Sequence, residues 1–164
     1  MSHHITIKLQ TATVVETGIQ FMQYGNYYLN AAEHLPATAL SVWFDPLPYQ
    51  LLCQSLELHL KSFIWLSDRL SRNAIKNKYG HDIEKLWRHS KARGLARYCE
   101  PTRLRDETIA LLGPYYKKRQ FVYLDFAMSA GIPKIRAHRK ARGIMTRLCR
   151  RLSTSLHKPI LYAS

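Results

Sequence analysis

Residues 49–70 read YQLLCQSLELHLKSFIWLSDRL. Leu52, Leu56, Leu60 and Phe63 recur at three- and four-residue steps, and Trp65, Leu66 and Leu70 widen the stripe. That period predicts an amphipathic helix from Tyr49 to Leu70 with one broad face built for a core. Glu57 and Lys61 stand four apart on it, in the order that favours an ion pair along a helix. The pair reads first as such a bridge. The alternatives are a buried polar contact between helices or a Glu–Lys proton-transfer site.

Working outward, Asp45-Pro-Leu-Pro48 marks the turn that leads into this helix. Before it, Thr13-Val-Val-Glu16 has capping-box spacing. Val14, Gly18, Ile19, Met22, Ala32 and Leu35 then predict a first helix up to Pro36. After the quoted stretch, the polar run SRNAIKNKYG interrupts the pattern. Gly80 suits a turn, Asp82 is a good N-cap, and Ile83, Leu86 and Trp87 form the inward face of a short third helix that Gly94 can end. The adjacency of His81 and Asp82 raises the question of acid–base chemistry. A carboxylate that orients a histidine has to aim at one ring nitrogen from a separate position, so the pair reads as a helix start, with His81 packed in the turn.

Thr102 is expected to cap a fourth helix through Leu112, stopped by Gly113-Pro114. The aromatic and β-branched run YYKKRQFVYLDF predicts an irregular or extended segment near residues 115–128. Gly131-Ile-Pro133 breaks the chain once more. From about residue 133 to 157, Ala141, Ile144, Met145, Leu148, Leu152 and Leu156 fall on one face of a last helix. The expectation is an all-α bundle of about five helices in a single domain, residues 1–164.

With 46% hydrophobic and 11% aromatic residues, a folded globule is expected rather than a disordered chain. No apolar stretch reaches the roughly 18 residues of a membrane span. The amino terminus lacks a secretory pattern, and three widely spaced cysteines fit a reduced compartment, so a cytoplasmic protein is expected. No Cys-x-x-Cys or His-x-x-x-His pair and no glycine-rich phosphate loop occurs, so neither metal nor cofactor is expected.

Charge is more informative. Residues 1–60 hold one Lys and four acids, net −3, whereas residues 61–164 hold the other 24 cations against seven acids, net +17. The last helix concentrates this imbalance: Lys134, Arg136, Arg139, Lys140, Arg142, Arg147, Arg150, Arg151 and Lys158 are nine cations in 25 residues with no acid among them. Like charges four apart repel, and an external polyanion relieves that repulsion by releasing its condensed counterions. Six of the nine are Arg, which suits bidentate phosphate contact. The apolar side of the helix carries no Trp or Phe, so nucleic acid is expected over a membrane surface, with an acidic partner subunit as the bland alternative.

The runs LLCQSLELHLKSFIWL and YGHDIEKLW resemble the HEPN family of helical domains, in which an "A-L-E-L-x-L-K-x-F-L" helix is followed by a Gly-His-Asp-Leu-x-x-Leu helix start. The matching residues here are Leu56, Glu57, Leu58, Leu60, Lys61, Phe63, Gly80, His81, Asp82, Leu86 and Trp87. Tyr-Lys-Lys-Arg-Gln-Phe, residues 116–121, is loosely similar to a Tyr-rich stretch of the same proteins. The resemblance covers about residues 15–125 and is strongest over 51–87. It implies an up-and-down bundle, often homodimeric, that favours RNA, either as a binding module within a larger assembly or as a metal-independent endoribonuclease. Catalytic members carry an Arg and a His on a late helix with four to six residues between them, where the His moves a proton and the Arg stabilises phosphate charge across the dimer. Arg150 and Arg151 both fit that spacing to His157, and Arg151 with His157 is the candidate pair, with Leu152 standing where those members usually carry a polar residue and the helix expected to end near Lys158-Pro159.

Overall fold

A computed structural model describes residues 18–35, 45–122 and 140–163. Among the described residues every regular element is helical: α1 (Gly18–His34), α2 (Leu47–Asp68), α3 (Arg72–Tyr79), α4 (Ile83–Ala92), a 3₁₀ turn (Leu95–Arg97), α5 (Arg103–Lys117) and α6 (Ala141–Ala163). The described residues are all-α and hold six helices, where about five were expected of the chain.

α2 is the axis around which the rest is arranged, in contact with α1, α3, α4, α5 and α6. Leu52, Leu56, Leu60, Phe63 and Ile64 are almost fully buried, each contributing about 1.5–3 kcal/mol. Burial does not stop at that stripe. Ser55, Glu57, His59, Lys61 and Ser62 are buried as well, because α1 covers the face of His59 and Ser62, while His81 and Tyr116 close over Glu57 beside Lys61. A buried polar group is tolerated when it is paired, and these are. Ser62 donates to the Gly18 carbonyl (2.7 Å), and His59 is held between Ser55 (3.3 Å) and Asn26 (2.9 Å). Gly25 makes this approach practicable, since a Cβ there would lie 3.1 Å from the His59 ring. Burial lowers the His59 pKa to about 4, so the ring is neutral at pH 7.

α2 starts two residues earlier than expected, at Leu47 with Pro48 in its first turn, and ends at Asp68, where Arg69 turns left-handed (φ 53°). The polar run after it is not a break but a helix. The Ser71 hydroxyl caps α3 by accepting from Ala74 N–H (3.3 Å), and Ile75 and Tyr79, one turn apart, are buried. Gly80 then reverses the chain at φ 54°, a region that disfavours side chains. Asp82 caps α4 by accepting from Lys85 N–H (2.9 Å), as its position implies.

Three further expectations are corrected. Gly113-Pro114 does not stop the fourth predicted helix, which is α5. It continues through Lys117 because Leu112 and Tyr116 are buried one turn apart, while the Pro114 ring lies on the exposed side. Residues 115–117 are therefore helical and 118–122 form turns rather than an extended segment, while 123–128 lie outside the described residues. Nor does the last helix end at Lys158-Pro159. It runs to Ala163, and buried Ile160 holds its final turn on the core. The Thr13–Glu16 capping box and the part of the expected last helix before residue 140 lie outside the described residues.

Candidate nucleic-acid interface and a buried carboxylate cluster

α6 is amphipathic. Ala141, Ile144, Met145, Leu148, Cys149, Leu152, Leu156 and Ile160 are buried against α2, α1 and α5. At about 100° per residue, the cations opposite divide into two sets. Lys140, Arg147, Arg151 and Lys158, spaced 7, 4 and 7 apart, fall within about 40° of one another and form one exposed ridge. Among the described residues no carboxylate pairs with any of the four.

Arg142 and Arg150 lie on the flank that faces α1. Arg142 donates to the Ala32 carbonyl (3.2 Å), and Arg150 bridges to Glu33 (2.8 Å). These two anchor α6 rather than offering their charge outward in full. The ridge passes the turn after the 3₁₀ segment. There Arg105 and Arg151 both pull down the Cys99 pKa, although burial raises it overall. Lys134, Arg136 and Arg139 lie outside the described residues.

Arg151 and His157 are both exposed on α6. Six positions apart on a helix, they point about 120° away from each other, Arg151 on the ridge and His157 on the α1 side. Within one protomer they do not share a site, so any joint chemistry calls for a second copy.

The Glu57–Lys61 pair is the centre of a cluster. Glu57 is 1% exposed and Lys61 7%, and Lys61 Nζ donates to Glu57 Oε1 at 2.6 Å. The second carboxylate oxygen, Oε2, accepts from His81 Nδ1 (3.0 Å) and from the Tyr116 hydroxyl (2.6 Å), which also lies 2.7 Å from Gln54 Oε1. Burial, and then the Glu57 charge, push the Tyr116 pKa up, so the phenol stays protonated.

The carboxylate that orients His81 is thus Glu57, not its neighbour Asp82. With Nδ1 committed to Glu57, Nε2 is left on the outer side of a ring whose side chain is 46% exposed. Asp82 has other duties. Burial alone would raise its pKa, but hydrogen bonds from Lys117 Nζ (2.7 Å) and Lys85 N–H hold it below the usual carboxylate range.

Two clefts meet at His81. One, of about 420 Å³, is lined by Phe21, Leu58, Lys61 and Lys76 with the Glu57 cluster at its base. The other, of about 210 Å³, lies beside Gln50, Gln54, Tyr116 and Arg119. Reading the sequence singled out Glu57, Lys61 and His81 but not their convergence; it noted Tyr116 only within the 116–121 resemblance, with no role, and missed Gln54 and Lys76. A weak signal for Tyr116 exists in retrospect: it falls one turn after Leu112 on the apolar face of α5. Among the described residues no group of three His, Cys, Asp or Glu could hold a metal ion, and no helix is long and apolar enough to cross a membrane. Searches with this chain find no matching family model, no matching curated protein and no matching solved structure.

Proposed function

We propose that this chain is a HEPN-like helical bundle that binds nucleic acid, RNA in preference, through the exposed ridge of α6, as a binding module or a component of a larger assembly. The observation that carries the reading is the alignment of Lys140, Arg147, Arg151 and Lys158 on one stripe without an acidic partner among the described residues. Four cations on a stripe about 27 Å long, at 1.5 Å per residue, match a run of backbone phosphates. The excess of +17 over residues 61–164 extends the same field beyond the stripe and draws a polyanion toward it. The preference for RNA rests on the family resemblance of α2 and α4.

The test compares two double variants in fluorescence-anisotropy titrations with single-stranded RNA. Arg147→Ala with Arg151→Ala is expected to weaken binding at least tenfold. Arg142→Ala with Arg150→Ala, whose charges are engaged by α1, is expected to change it less. Equal effects from the two pairs, or none from the first, would remove the ridge as the interface.

A further inference from the structure

We propose that the cleft of about 420 Å³ at His81 is a binding site for a compact soluble organic phosphate, separate from the α6 ridge. The donors that would recognise it come from three elements: Lys61 on α2, Lys76 on α3, and His81 in the turn between α3 and α4. Lys61 has three N–H donors, and among the described residues one of them, to Glu57, is accounted for. His81 turns Nε2 outward because Glu57 holds Nδ1 (3.0 Å). A protonated imidazole donates from both nitrogens, so Nε2 can serve a ligand anion while Nδ1 stays on Glu57.

The cluster selects for an anion. Its one carboxylate is already occupied on both oxygens by Lys61, His81 and Tyr116, which leaves nothing to coordinate a cation. Lys61 balances Glu57, and Lys76 then tips the cleft positive. Donors drawn from three elements around one cleft suit the three oxygens of a phosphate monoester better than the two coplanar oxygens of a carboxylate. The apolar walls, Phe21 and Leu58, give the organic end a surface to pack on. The volume is that of a small-molecule site rather than a groove for a polymer.

The experiment follows the His81 imidazole by NMR in the full chain as phenyl phosphate is added. A saturable shift at His81 is expected, weaker with inorganic phosphate and absent with phenol. Lys76→Glu should weaken phenyl phosphate at least tenfold, and His81→Gln, read through the shifts of Lys76 and Gly80, should do the same. Because His81 and Lys76 are substantially exposed, both variants should keep the wild-type melting temperature.

The ridge variant Arg147→Ala/Arg151→Ala should bind phenyl phosphate unchanged, which separates this site from the nucleic-acid reading. No saturable shift at His81, or loss of binding in the ridge variant alone, would overturn the proposal. So would a response to phosphatidic-acid vesicles without one to phenyl phosphate. A larger His81 shift from a 5′-phosphorylated RNA trinucleotide than from its 5′-hydroxyl form would support the cleft and identify a strand end as a ligand source.

Discussion

α2 and α6 are similar in length, 22 and 23 residues, and each carries a continuous apolar stripe with charged residues off it. Their fates differ. α2 is enclosed over most of its girth, so the buried off-stripe residues had to find partners: Glu57 takes Lys61, His81 and Tyr116, while His59 takes Ser55 and Asn26. Among the described residues α6 is covered on one side only, and its ridge cations are exposed. The difference teaches that a polar residue beside an apolar stripe means solvent only where the topology leaves that face open. On α2 the charged groups are part of the core, and on α6 they are surface chemistry.

The sharpest way to break this contrast is to remove one charge from each helix. Glu57→Ala strands the Lys61 ammonium in the interior, and a loss of about 3–5 kcal/mol is expected in urea unfolding. Arg151→Ala on α6 is expected to stay within about 0.5 kcal/mol of wild type. Comparable losses from the two would mean that α2 is not the more enclosed helix.

Acid titration sharpens the same point on α2. His59 is lowered from the ordinary 6.5 to about 4, so the unfolded chain binds its proton first as pH falls. Stability from this group is complete above 6.5 and declines on acidification until about pH 4, by about 3 kcal/mol in all. Urea midpoints measured at pH 7 and at pH 4.5 check it, and unchanged midpoints would contradict the buried neutral ring. A smaller effect belongs to the turn that places His81. Asp82→Ala removes the α4 cap and the Lys117 bridge, with an expected cost of about 1 kcal/mol and a modest fall in melting temperature.

How much of this was legible follows from where each signal resides. The helical period of Leu52, Leu56, Leu60 and Phe63 is local and long, so the axis of the fold could be read with only its ends displaced. α3 was hidden because eight residues with two apolar anchors, Ile75 and Tyr79, among cations and amides give too little period to see. The stops expected at Gly113-Pro114 and Pro159 are genuine local preferences, overridden by the burial of Tyr116 and Ile160 beyond them.

The Glu57 cluster joins residues 24 and 59 positions apart in sequence, and no spacing rule connects those. On α6 the spacing of Lys140, Arg147, Arg151 and Lys158 was readable as one stripe. That α1 would engage Arg142 and Arg150 was not, since Ala32 and Glu33 lie more than a hundred positions away.

The claim that matters most is that the α6 ridge grips a phosphate polymer, and the salt dependence of RNA affinity tests it most directly. For wild type, log K should fall linearly with log salt concentration, and the slope for a single strand reports about 0.7 per phosphate neutralised. Replacing Lys140, Arg147, Arg151 and Lys158 together by Ala should flatten that slope by roughly 3, at about 0.7 for each lost contact. A wild-type affinity that does not respond to salt, or a slope that survives the fourfold substitution, would contradict it.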